Sequence, residues 1–237
     1  MPAYARIATV FAFMAACVAL AASAADRRET RAVSGFTGIS LAAPIKVQLT
    51  QGDTESLVLE GDEDALAQIE TVVEDGTLKI RSRSRSGFAG LGKVKASLGA
   101  KNVERLAIGG SGDITAAALR SDDFKIAIAG SGDVRIGTLT SSNVEVTVSG
   151  SGDVTLGGKA DSVSTSIAGS GDVRAGKLET RQAKVSIAGS GDATLWAKEG
   201  LEVKIVGSGD VRYYGDPAVS KTVMGSGSVK RAGAAPS

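Results

Sequence analysis

Six aspartates recur through the second half of this 237-residue chain: Asp113, Asp133, Asp153, Asp172, Asp192 and Asp210. Each closes a Gly-Ser-Gly-Asp tetrapeptide, and a seventh copy, Gly225-Ser226-Gly227-Ser228, replaces the acid with serine. A row of turn carboxylates could ligate calcium, a cation that takes oxygen donors. Calcium-binding β-rolls use a shorter Gly-Gly-x-Gly-x-Asp nonapeptide, whereas these acids are spaced by 20, 20, 19, 20 and 18 residues. Unrelieved, like charges about 5 Å apart repel by roughly 1 kcal/mol in water and about 3 kcal/mol at a protein-like effective dielectric. Relief stands two residues further on, where Thr115, Arg135, Thr155, Arg174, Thr194, Arg212 and Lys230 alternate threonine with arginine and end in lysine. The expectation is that the acids bond N–H groups of the turns and that outward Arg side chains neutralise them. The cation row is the alternative.

Two further constellations could bind a ligand. Gly137, Gly157 and Gly176 lie four residues after their aspartates, and the same offset gives Trp196 and Tyr214 in the next two repeats, with Tyr213 alongside. Trp196 and Tyr214 are expected to stack at a corner and to cover the C-terminal end of the fold. The alternative is that, with Arg212, they form a platform of the kind that binds sugars. Lys79, Arg81, Arg83 and Arg85, followed by Lys93 and Lys95, make a basic stripe. It could meet anionic glycan or lipid headgroups, or be a solvated strand face that discourages edge pairing. Aromatic residues do not interleave it, which argues against nucleic acid. The chain has no histidine, which removes the usual general base and the commonest zinc ligand. The glycine-rich loops lack the Lys-Ser/Thr ending of a phosphate loop. No catalytic residue, cofactor or metal is expected.

The elements that position these residues follow from the period. A repeat of 18–20 residues marks a solenoid, one coil per repeat. Phe124, Ile126, Ile128, Val134 and Ile136 share one parity and polar residues the other, so the coils are strands broken by glycine corners. Ile108, Ile128, Val148, Ile167, Ile187, Ile205 and Val223 precede the corners, and Ile114, Val134, Val154, Val173, Ala193, Val211 and Val229 follow them. Stacked, they form aliphatic columns inside a narrow tube. The predicted fold is all-β, a single-domain parallel β-helix, right-handed, with one short N-terminal helix over Asp62–Ile69. Strands are predicted over Phe36–Leu41, Ile45–Thr50, Glu55–Glu60 and Leu78–Arg83, with a loose stretch over Ser86–Gly92.

Residues 1–24 read as a signal peptide: an apolar run from Ile7 to Ala22 ends in the small-x-small site Ala22-Ser23-Ala24. Cleavage there removes Cys17, the only cysteine, and Arg6, leaving 26 basic and 26 acidic residues and no general attraction to polyanions. Residues 25–34 are predicted as a linker, 35–230 as the β-helical domain (regular from 94), and 231–237 as a disordered tail. The expected product is exported to the periplasm, the cell surface or the medium. It is not an integral membrane protein once the leader is cut.

The repeats, taken with Phe36-Thr37-Gly38-Ile39, Pro44-Ile45-Lys46-Val47 and Gln51-Gly52-Asp53, resemble the GIN-domain family, the "putative auto-transporter adhesin" head domain, over residues 34 to 230. The resemblance implies a bacterial envelope or secreted β-helix and carries over no catalytic motif. The chain ends at Ser237 without room for a translocating barrel, so a head domain alone is expected. The functional expectation is a non-enzymatic structural or interaction module, adhesive toward an envelope glycan or another envelope protein. The alternative is a carbohydrate-active β-helix enzyme acting on acidic polysaccharide.

Overall fold

The computed structural model describes residues 27–83 and 91–236. The leader, with its cleavage site and Cys17, lies outside them, as do Arg85 of the basic stripe and most of the loose stretch. One continuous sheet of 17 strands winds into a tube. Strands β1 (Arg27–Arg31), β2 (Gly38–Ala42), β3 (Lys46–Gln51) and β4 (Ser56–Gly61) precede helix α1 (Glu63–Ala67). Then come β5 (Ile69–Glu74), β6 (Thr77–Ser82), β7 (Lys95–Ala100), β8 (Arg105–Gly110), β9 (Asp113–Arg120) and β10 (Asp123–Gly130). The long strands β11 (Val134–Gly150), β12 (Val154–Gly169), β13 (Val173–Gly189) and β14 (Ala193–Gly207) each bend once between two glycine corners, and β15 (Val211–Tyr214), β16 (Ala218–Gly225) and β17 (Val229–Gly233) finish the tube.

From β8 onward the coils stack in parallel, with Ile108, Ile128, Val148, Ile167, Ile187, Ile205 and Val223 in direct register. The second predicted column, Ile114 to Val229, is likewise continuous. As far as Ile205 and Val211 these residues belong to one hydrophobic core that begins at Phe36; Val229 packs against it half-buried, and Val223 is exposed. The corners are close-packed backbone. Ser151 and Gly152 N–H both donate to the Gly130 carbonyl at 2.9 and 3.1 Å, and the neighbouring coils repeat the arrangement. Gly150 has φ +126°, and a Cβ there would run into the Gly130 carbonyl oxygen.

Stacking order departs from chain order at the N-terminus. β2 and β3 lie between the β6–β7 coil and the β8–β9 coil. Antiparallel β4, β1 and β5 then close this end. Arg27–Arg31, expected within a linker, is therefore a strand: it lies on the exposed edge of β4, where backbone pairing rather than side-chain burial holds it. Helix α1 ends at Ala67, and β5, unforeseen, returns through the left-handed Asp75-Gly76 pair as a hairpin with β6. At the other end β17 takes in Arg231 to Gly233, the start of the expected tail.

Candidate functional site

The aspartate column lies at the corners, half-buried, and one oxygen of each carboxylate is taken up by the protein's own backbone. Each carboxylate accepts the backbone N–H of the aspartate one coil on: Asp153 N–H to Asp133 at 3.1 Å, Asp172 to Asp153 at 3.1 Å, Asp192 to Asp172 at 3.0 Å and Asp210 to Asp192 at 2.8 Å. The last link is Ser228, whose N–H and hydroxyl both donate to Asp210 Oδ1 at 2.9 Å. Those two bonds, the hydroxyl first, hold the Asp210 carboxyl below the usual aspartate range. Serine suffices in this corner because, among the described residues, no further coil presents an N–H to be capped.

Arginine neutralises three of the six, Asp133, Asp153 and Asp172. Arg174 bridges Asp153 at 2.7 Å and Asp172 at 2.8 Å, so one cation serves two layers, as the alternation predicts. Its bond to Asp153, with the pull of the surrounding carboxylates, holds its proton more firmly than usual. Arg135 takes Asp133 alone at 2.6 Å. Arg212 has no ion-pair partner among the described residues. Two members of the basic stripe, Lys79 and Arg81, are paired in the same manner by the strand that sequence reading missed. Glu74 takes Lys79 at 2.6 Å and Glu70 takes Arg81 at 2.8 Å, and these bonds lower both glutamates.

The remaining constellation is the flank of the last coils. Trp196 of β14 stands opposite Tyr214 of β15, and Arg212 lies two residues before Tyr214 on the same outward parity. Tyr213 points the other way and packs on the core. The two outward rings are half-buried and Arg212 is exposed. Tyr214 leans back across β14: its Cε2 would lie 3.3 Å from a Cβ at Gly176, beside the Thr194 methyl. The bare backbone of Gly176 thus makes room for the ring. The aromatics do not cover the tube end, since β16 and β17 pass beyond them.

The family described as "Putative auto-transporter adhesin, head GIN domain" matches residues 35–217. The chain belongs to the GIN-domain family. No curated protein matches it. A solved structure from Bacteroides fragilis, described as a "putative adhesin", is 26% identical, covers 87% of this chain and 96% of its own, and superposes with a TM-score of 0.81. A "putative lipid binding protein" from Parabacteroides distasonis is also 26% identical, over 88% and 97% of the two chains, with a TM-score of 0.70. A "putative adhesin" from Parabacteroides merdae, 21% identical over 88% and 97% with a TM-score of 0.69, shares the fold.

This GIN domain also carries a groove that was not legible as a site. A shallow trough of about 570 Å³ follows the second bend of the coils, lined by Lys159, Asp161, Glu179, Arg181, Lys198 and Glu199 among others. Arg181 pairs with Glu199 and Lys198 with Glu179. Glu179 is also the ladder partner of Trp196, and Thr180 donates to the Trp196 carbonyl at 2.8 Å, so the trough begins beside the aromatic flank. The signal that could have found it is the column Thr140, Lys159 and Glu179, at intervals close to the coil period. Among the described residues no group of three or more His, Cys, Asp or Glu could hold a metal ion.

Proposed function

We propose that this GIN domain is a non-catalytic adhesive module of the bacterial envelope or its exterior, and that the flank of Trp196, Tyr214 and Arg212 engages envelope glycan. The family and the Bacteroides relative support adhesion and an extracytoplasmic location. The observation that carries the glycan assignment is the ladder register: the only tryptophan faces Tyr214, with the unpaired Arg212 guanidinium two residues away on the same face. Aromatic rings offer apolar faces on which the C–H faces of a sugar can lie, and a guanidinium offers several fixed donors to its hydroxyls. The trough beside Glu179 extends the polar surface along the chain of a longer saccharide. A packed tube holds these groups without rearrangement, which keeps the ordering cost of binding low.

The lipid-binding description of the Parabacteroides relative is less readily carried over. The interior here is filled by apolar side chains from Phe36 to Val211, so an acyl chain would have to lie outside the tube. The test is a glycan array probed with wild type, Trp196→Ala and Arg212→Ala, each first shown to keep its far-ultraviolet circular dichroism. Loss of one glycan class in both variants supports the reading; equal binding by wild type and Trp196→Ala discards it.

A further inference from the structure

We propose that the C-terminal end of the tube is a strand-accepting edge, and that its occupant is an extended segment of a partner protein in which an acidic residue is flanked, two positions away on each side, by apolar ones. The two ends of the tube differ in kind. Antiparallel strands and α1 close the N-terminal end. Among the described residues, at the C-terminal end β16 is bonded only to β14 and β17 only to β15, which leaves each with one free row of backbone donors and acceptors. All eight residues of β16 are exposed. Such an edge is a template for another strand.

The side chains on this edge specify what would fit. Register carries the core columns onto it: Leu201 stands over Val219, Val203 over Lys221 and Ile205 over Val223. Val219 and Val223 are 40% and 36% exposed although they occupy core positions. The neighbouring strand repeats the pattern, with Val229 under Val211 and Arg231 under Tyr213. A core position filled by lysine has no apolar explanation, and an incoming strand would bury it. Among residues 217–237 Lys221, Lys230 and Arg231 are the charged ones and none is acidic. Arg231 is held by Asp216 and the Gly215 carbonyl, whereas Lys221 and Lys230 make no ion pair among the described residues. A parallel strand added to β16 would set its side chains against Val219, Lys221 and Val223, so the ladder asks for apolar, acidic, apolar at alternate positions.

A second copy does not meet this demand. Joined end to end about a two-fold axis, two copies would bring one basic edge against the other. Joined head to tail, β16 would meet the antiparallel, Arg-rich β1 or the hairpin strand β5.

The experiment is an NMR titration of the full protein with a heptapeptide that alternates threonine with valine, glutamate and valine, against the same peptide carrying lysine in place of glutamate. The expected result is amide-signal changes confined to β16 and its neighbours, with the glutamate peptide binding about tenfold or more tighter. Lys221→Glu, at an exposed position and so compatible with folding, should reverse the preference. Trp196→Ala should change nothing, which separates this surface from the glycan flank. Equal affinity for the two peptides, no reversal in Lys221→Glu, or signal changes elsewhere would overturn the proposal. So would two other outcomes: Lys221-dependent binding to anionic vesicles with no binding of either peptide, or dimerisation of Lys221→Val with no peptide binding. The first would make the edge a membrane contact, and the second would reduce its charge to a device against self-association.

Discussion

At the residue scale, the recurring aspartate is a cap for the coil that follows it. That role needs an acceptor oxygen and does not need a charge. Asp192 isolates the two, since it accepts the Asp210 N–H at 2.8 Å and no arginine pairs with it among the described residues. Asp192→Ala leaves a half-buried N–H without its partner and should cost about 1–3 kcal/mol in urea denaturation. Asp192→Asn keeps the acceptor and removes a like charge from the column, so it should stay within about 0.5 kcal/mol of wild type. Equal losses in the two variants would show that charge, not capping, fixes the residue. Ser228 makes a second point. Its hydroxyl is the largest cause of the lowered Asp210 pKa, so Ser228→Ala should move that carboxyl up toward the ordinary aspartate range in a carbon-detected NMR titration. The sign for stability follows. A carboxyl lowered by folding contributes fully above its unfolded pKa, and the contribution is lost as pH falls through the folded value. Acid should therefore weaken the fold only below the ordinary carboxylate range. With no histidine in the chain, stability should be level between about pH 6 and pH 8 in thermal melts.

At the element scale, the corner is the part most open to single-site attack. Gly150 combines a φ of +126° with direct stacking on Gly130. Gly150→Ala must bear about 1–3 kcal/mol of backbone strain and also push two coils apart. Gly52 lies in a turn with open space where a Cβ would stand and no such φ, so Gly52→Ala should be neutral or slightly stabilising. Denaturant midpoints of the two variants decide whether close coil packing or glycine content alone matters. These corners were legible because they repeat: one tetrapeptide, seen six times and once more with serine for its aspartate, reveals the period, the register and both core columns. The ends of the tube were not, because nothing repeats there. The sequence of β1, Arg-Arg-Glu-Thr-Arg, shows no alternation, since it has no apolar face to bury. β5 is half-exposed along most of its length, so its pattern is weak, and with it went the acids that pair with Lys79 and Arg81 of the basic stripe. The opposition of Trp196 and Tyr214 was readable from a common offset. The lean of Tyr214 over Gly176 was not, because β13 slips register against β14 between Ala175 and Glu179, a shift that a count of residues from the last corner does not show.

At the scale of the whole molecule, a residue's worth depends on where its coil lies in the stack. Val148 and Val223 hold the same place in the repeat and belong to one column, two residues before the first glycine of a corner. Val148 has coils on both sides and is wholly buried, whereas Val223 has a coil on one side and is 36% exposed. Solenoid stability is a sum of coil and nearest-neighbour interface contributions, so an interior position draws on two interfaces and an end position on one. Val148→Ala removes two buried methyl groups and leaves a gap that rigid neighbouring coils cannot fill, a loss of about 2–3 kcal/mol. Val223→Ala removes the same atoms where water already reaches them and should cost under about 1 kcal/mol. Urea denaturation of the two variants measures the difference directly. If Val223→Ala proved as costly as Val148→Ala, the terminal coil would have to be covered in solution, by a second copy or by residues outside those described. The edge of β16 would then not be free to receive a strand. If the two costs separate as expected, the column that stabilises the middle of the tube ends in side chains with little structural role, free to contact a partner.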